Sequence, residues 1–352
     1  MVQLTVKLKT HLTDISRRAR TSPLRVGLIL LALLTFIFSL LPIPNNLVEH
    51  WYSRGMFPKV SAFFTPISDL SPVAWLDILL AAAIIYSGIS IRRRRWLPFA
   101  TVTAAGYLVF FWGWGLSYHR IPLAERLALN QENTTSTAIA ALGRRAATEI
   151  NELYGDPLRQ SFDDAKIASE SAARVALVVE KLDGVRWLAP HRVKTSLLVG
   201  PWFRVAGIDG MFNPIIHEAI INGNALDFER PFVISHELAH VRGYPNEGDA
   251  NFVALMATLM SSNPQLRYSG WLHLWLYLRS SDLDSLLDPG PRRDVQLTFE
   301  RFRRDQVPLI SNLQTAVLNL FLRVNSVQEG IRSYSRLVIL ASGTQETWQQ
   351  FR

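Results

Sequence analysis

Hydrophobic and polar positions divide the chain into two parts. Three apolar runs, at residues 26–43, 73–91 and 97–116, fall within the first 118 residues. Each approaches the roughly 20 residues that a helix needs to cross a bilayer. From residue 119 onward the apolar positions recur at helical spacing, over 137–154, 163–182, 295–323 and 327–340. The stretch WLHLWLYL at 271–278 reads as a core helix, and His273 within it as a packed histidine. Two short segments suit strands: 195–199, and 218–228 with a turn at Asn222-Gly223-Asn224. The predicted fold is therefore mostly α with a small β-sheet (α+β). A membrane region over 1–118 with three transmembrane helices precedes a single soluble domain over 119–352. Between the first two runs, residues 44–72 carry Trp51, Tyr52, Phe57, Phe63 and Phe64, which suit an interfacial or re-entrant segment or a packed loop. A signal peptide would also begin with a basic tail and an apolar run. No small-x-small cleavage site follows this one, so it reads as an uncleaved anchor.

Charge sharpens this division. The chain holds 37 Lys+Arg against 29 Asp+Glu, a net +8. Residues 1–118 contain 12 basic and four acidic residues, which accounts for the whole excess; the remaining 25 and 25 cancel. The positive charge flanks the apolar runs and is a topology signal, so the expected partner is a lipid bilayer and not nucleic acid. The tail (Lys7, Lys9, Arg17, Arg18, Arg20 and Arg25 against Asp14) and the cluster Arg92 to Arg95 are expected in the cytoplasm. Residues 44–72 and everything after Tyr118 are then expected outside, in a multi-pass protein of the cell membrane with an extracytoplasmic catalytic domain. Trp112, Trp114 and Tyr118 suit an aromatic belt at the outer face, and Asp77 an outer span end within reach of water. The absence of cysteine excludes disulfides and thiolate metal sites.

Candidate chemistry centres on PFVISHELAHVRGYPNEGDAN, residues 231–251. His236 and His240 are four apart and share one helical face, so they can offer two imidazoles to one Zn²⁺ while Glu237 stands beside them as general base. Pro231 suits the first helical turn and Gly243 the residue just past the end. A catalytic zinc takes a third protein ligand and leaves one position open. Glu247 is the favoured third ligand and Asp249 its rival, about 200° round the following helix. Asn251, one turn after Glu247, could steady a ligand histidine from behind. Asn246 stands where the pattern H-E-x-x-H-x-x-G-x-x-H needs histidine, which excludes that class. Tyr268 is a candidate hydrogen-bond donor to a developing oxyanion.

The segment from Glu247 to Asn251 is similar to the E-x-x-A-[D/N] stretch that follows H-E-x-x-H in gluzincin metallopeptidases. Four stretches, GWGLSYHRIPLAERLAL (113–129), HELAHVRGYPNEGDANF (236–252), RYSGWL (267–272) and SYSRLVILA (333–341), resemble the bacterial membrane-protein family called domain of unknown function 3810. Gly248-Asp249 departs from that family, where two acidic residues are expected, and implies a more flexible loop. The resemblance implies a zinc peptidase with a gluzincin-like fold, in which the strand before the zinc helix pairs with extended substrate. The expected activity is hydrolysis of a peptide or protein substrate with Zn²⁺ as cofactor. The alternatives are a zinc hydrolase of a non-peptide substrate and a zinc-binding membrane sensor or scaffold without turnover.

Overall fold

The structure is a computed structural model that describes residues 23–155, 162–186, 192–324 and 336–352. It is mostly helical with one three-stranded sheet. The chain divides into two units, and the division is not the one the apolar runs suggest. The first unit holds the described residues up to Ile43 together with Ile78–Gly115. The second holds Pro44–Asp77 and the described residues from Leu116 onward.

The first unit is built on α1 (Pro23–Ser39), most of α3 (Trp75–Arg92) and α4 (Trp96–Gly113). Among the described residues, α3 and α4 are the two helices long and apolar enough to cross a membrane. Three spans were expected. α1, described from Pro23, counts 17 residues and ranks as a shorter apolar helix among the described residues. Pro42 and Pro44 stop it, because a proline can neither donate to the preceding turn nor tolerate a helical residue before it. α1 packs along α4, with Phe38 stacked on Trp112 (centroids 5.9 Å apart) and Trp112 donating to Thr35. A tight turn joins α3 to α4, with Arg94 in the left-handed region (φ 49°). The basic tail before Pro23 lies outside the described residues.

In the second unit, the stretch from Asn45 to Asp69 is helical throughout, including a π-helical section, Val48–Met56, before α2 (Phe57–Asp69). The loop reading of this region is corrected to a helical one. Tyr52 and Phe57 are buried and join the core of this unit with Val48, whereas Trp51 and Phe63 are exposed. Helices α5 (Ser136–Leu153) and α6 (Asp164–Asp183) lie within a residue or so of their expected bounds. α8 (Arg230–Val241), α9 (Glu247–Leu259) and α10 (Pro264–Leu278) form the centre, with α8 packed against α6, α9 and α10. α9 is buried all round from Gly248 to Leu259, as suits a helix apolar on every face. The single long helical reading over 295–323 breaks at Gln306-Val307 into α11 (Pro289–Asp305) and α12 (Pro308–Val324), because Pro308 cannot continue a helix. α13 (Arg336–Gly343) is the described part of the helix expected over 327–340; residues 325–335 lie outside the described ones.

The sheet runs β1 (Val193–Lys194), β3 (Glu218–Ile221), β2 (Gly210–Asn213), with β1 parallel and β2 antiparallel to β3. The strand expected at 195–199 is displaced. Asp77 accepts hydrogen bonds from the amides of Leu197 (2.8 Å) and Leu198 (3.2 Å) and from the Ser196 hydroxyl, which turns the chain into α7 (Gly200–Ala206). Asp77 is accordingly buried and not a water-facing end group. The segment expected at 218–228 keeps only its first four residues as a strand. Glu218, fully buried, accepts from the amides of Trp75 (2.8 Å) and Leu76 (3.1 Å) and from Lys194 (2.8 Å). It thus caps α3 with a charge-paired carboxylate.

Candidate metal centre

α8 starts with Pro231 in its first turn and ends at Gly243, which lies at φ 82°. The amide of Tyr244 donates to Ala239 (3.2 Å) and that of Gly243 to His240 (2.9 Å), the paired closing bonds of a left-handed glycine stop. Only two residues later Asn246 caps α9, its side chain accepting from Gly248 (3.0 Å) and Asp249 (3.4 Å). Gly248-Asp249 is therefore helical and capped, which corrects the flexible loop expected there. The same residue that excludes a third histidine fixes Glu247 as the first residue of α9.

These two ends bring His236, His240 and Glu247 together as a group able to hold a metal ion. His236 Nε2 lies 3.1 Å from His240 Nε2 and 3.1 Å from Glu247 Oε2, and His240 Nε2 lies 3.6 Å from the same oxygen. Donors about 2.0–2.1 Å from one tetrahedral zinc stand about 3.3–3.4 Å from each other, so this donor set fits the ion. His240 Nδ1 donates to the Tyr244 carbonyl at 2.6 Å, which orients the ring so that Nε2 faces the group. Asp249 is elsewhere. It accepts from the Leu123 amide (3.0 Å), and burial pushes its carboxyl up to about 6.

Glu237 is buried beside the cluster, and its Oε2 has no hydrogen-bond partner among the described residues. Burial raises its pKa to about 7, with Glu247 and Asp209 adding to the rise and the two histidines opposing it. Burial works to raise Glu247 as well, but His240 and His236 outweigh it and hold that carboxylate far below the usual range. His240 is depressed by burial and raised by Glu247, with the net at about 9. Two carboxylates ten residues apart are thus driven in opposite directions.

Sequence reading missed Gly210. A Cβ there would collide with Glu237 Oε1 and stand 2.7 Å from its Cγ, so only glycine lets β2 lie against this carboxylate. β2 is an outer strand, whereas β3 is central with both edges occupied. The strand beside Glu237 is therefore the hairpin partner of the one expected.

Tyr268 and Asn251 are not placed as expected. Tyr268 is fully buried, and its hydroxyl donates to Asp294 at 2.6 Å. The Asn251 amide donates to Tyr277 (3.3 Å), a residue that was grouped with the core stretch. Burial, together with Glu247 and Asp209, pushes the Tyr277 hydroxyl up to about 12, so it stays a donor at neutral pH. His273, one turn earlier on α10, stacks on Phe232 at 4.2 Å and is held neutral by burial, down to about 4. Its Nδ1 donates to the Ser269 carbonyl (3.0 Å). An aromatic–histidine pair at i, i+4 was the sequence signal that could have found Tyr277.

Behind the cluster lies a second set of buried charges. Arg120 donates to Glu49 (2.9 Å), to Asp183 (2.6 Å) and to the Gly243 carbonyl (3.1 Å). Arg126 also pairs with Asp183, which accepts the Tyr244 hydroxyl at 2.9 Å. The turn that carries the His240 partner is thus clamped by side chains from three distant parts of the chain.

A family model described as Protein of unknown function (DUF3810) matches residues 52–341. The chain belongs to this family. The match covers Arg120, α8, α9 and α10, the elements that build the site. No curated protein and no solved structure matches the chain.

Proposed function

We propose that this member of the family is a membrane-associated, zinc-dependent peptidase of the gluzincin kind. The observation that carries the reading is the grouping of His236, His240 and Glu247 donor atoms 3.1–3.6 Å apart, next to a buried carboxylate with an unpartnered oxygen. A zinc ion held by these three residues would supply Lewis acidity toward the scissile carbonyl and acidify a water. Glu237, buried beside the group with one oxygen unpartnered among the described residues, would serve as the base toward that water and as the acid toward the leaving amine. We assign Tyr277, whose hydroxyl meets Asn251 one turn along α9 from Glu247, the role of donor to negative charge developing on the carbonyl oxygen. β2 offers its outer edge to an extended peptide, with Gly210 letting backbone reach the catalytic carboxylate. A purely structural metal site needs no buried base, which weighs against the sensor reading.

The extracytoplasmic placement is supported by the two units. A hairpin of two crossings, α3 and α4, returns the chain to the side it left, and Pro44–Asp77 and Leu116–Arg352 fall in one unit. Arg92 to Arg95 occupy the turn between the two helices, and positive residues favour the cytoplasmic side. Reporter fusions after Asn130 are expected to signal outside the cytoplasm; signal confined to the cytoplasm overturns this topology.

The decisive experiment is metal analysis of the purified full chain together with digestion of a broad peptide library. One zinc and cleavage that vanishes in Glu237→Gln are expected. Zinc with no cleavage of any peptide, but hydrolysis of an ester or cell-wall amide, would move the substrate class.

A further inference from the structure

α12 presents an unusual surface for the second unit. Leu309, Leu313, Val317 and Leu320 are 79, 58, 53 and 64% exposed. At 100° per residue they fall within an arc of about 80°. Leu322, which is buried, lies on the opposite side of the helix and holds it to the unit. The outer face of α12 is thus an apolar stripe four side chains long, the kind of surface that globular proteins seldom leave in water.

The stripe does not stand alone. α12 packs against α7, and the Val307 amide just before it donates to the Val205 carbonyl at 2.9 Å. α7 carries Trp202, 40% exposed, and is preceded by Leu197 and Leu198, 77% and 52% exposed. The amides of those two leucines are the ones held by Asp77, in the first turn of α3. The exposed leucines are therefore tied by hydrogen bonds to the start of a helix long and apolar enough to cross a membrane. Neither α12 nor the segment 195–207 contains an acidic residue; their only charges are Arg323 and Arg204.

We propose that the outer face of α12, with Leu197, Leu198 and Trp202, is a lipid-docking surface that lies in the bilayer interface. Leucines and a tryptophan on one side, with arginine as the only charge, match the composition of helices that lie in the headgroup region. Continuity with the start of α3 selects lipid over a second protein chain. The inference rests on the membrane association read from α3 and α4, and does not depend on the hydrolytic chemistry.

The absence of cysteine makes the test direct. Single cysteines at Leu313, Leu198, Ile84 and Lys181 are introduced into the full chain, labelled with an environment-sensitive dye and reconstituted in nanodiscs of phosphatidylcholine and phosphatidylglycerol. Ile84 reports on α3, and Lys181 on an exposed site of α6. Labels at 313 and 198 are expected to emit at shorter wavelength than the label at 181. They should lose intensity with lipids brominated on the acyl chain and resist aqueous iodide. Lipid quenching at 84 but iodide quenching at 313 and 198 would overturn the docking surface and leave the span intact. Iodide quenching at all four sites would overturn both. Disulfide-linked dimers of Leu313→Cys, shielded from lipid and iodide alike, would assign the face to a second copy and also defeat the proposal.

Discussion

The second unit contains two buried charge clusters that share a boundary at Tyr244 and have opposite character. In the cluster of Glu49, Arg120, Arg126 and Asp183, both carboxylates are paired with guanidinium groups and the Tyr244 hydroxyl adds a further donor, so every carboxylate is matched although Arg126 Nε makes no hydrogen bond among the described residues. In the cluster of His236, Glu237, His240 and Glu247, one carboxylate oxygen and the His236 Nδ1 have no partner among the described residues. A buried carboxylate matched by guanidinium groups rigidifies its surroundings, whereas a buried carboxylate oxygen left without a partner calls for another use. The Tyr244 carbonyl, which accepts from His240, is how the first steadies the second.

If this contrast is correct, substitutions in the two clusters should separate turnover from folding. The largest effect is expected for Glu237→Gln: zinc content and melting temperature close to those of the parent, with turnover down about 10²–10⁴-fold. Retention of full hydrolysis of a verified substrate would remove Glu237 from the chemistry. Asp183→Ala should do the reverse. It leaves Arg120 and Arg126 buried without their shared partner, which costs about 3–5 kcal/mol of stability in denaturant unfolding. A loss of activity without loss of stability there would erase the distinction. Tyr277→Phe should reduce kcat by about 10²-fold, in line with loss of one donor to a developing oxyanion, at unchanged metal content. Unchanged kcat would leave Tyr277 a merely structural partner of Asn251.

Acid should expose the same contrast. Burial acts to raise the Asp183 and Glu49 carboxyls, but Arg120 and Arg126 outweigh it and hold both below their ordinary values. A lowered folded-state value contributes stability that is present above the unfolded value of about 4 and lost as the pH falls through the folded one. Stability measured from pH 6 downward should therefore fall below about pH 4, and Asp183→Asn should flatten that fall. The smallest effect is expected for Asn246→Ala, which removes the cap of α9 at a cost of about 1 kcal/mol. It should weaken zinc affinity through Glu247 and leave the contacts of Asp183 untouched.

Much of this was legible in local pattern and much was not. The i, i+4 histidines, Pro231, Gly243 and the position of Glu247 depend on spacing along one helix and its successor, and spacing is written in the sequence. The helix ends came out well for the same reason. Gly210, by contrast, matters because of a carboxylate 27 positions later, and no periodicity announces that. Asp77 looked like an end group near water because the amides it caps, at Leu197 and Leu198, lie 120 residues away. Segment 44–72 gave no sign that Phe57 and Phe64 stack on His217, about 150 residues later. Tyr268 and Tyr277 lie on one helix, and only packing shows that the first faces Asp294 and the second Asn251.

The turn between α8 and α9 also bears on the order in which the site can assemble. His236 and Glu247 are eleven positions apart, and closing so short a loop costs little chain entropy. A glycine stop and an asparagine cap, both local, set its geometry. The three metal donors can therefore meet in a helical hairpin that has formed before the sheet. Gly210 reaches Glu237 only when β2 has paired with β3 and docked. On the peptidase proposed above, metal capture and catalytic competence would be separate folding events, so a nascent chain would hold its ion before it could cut anything, including itself.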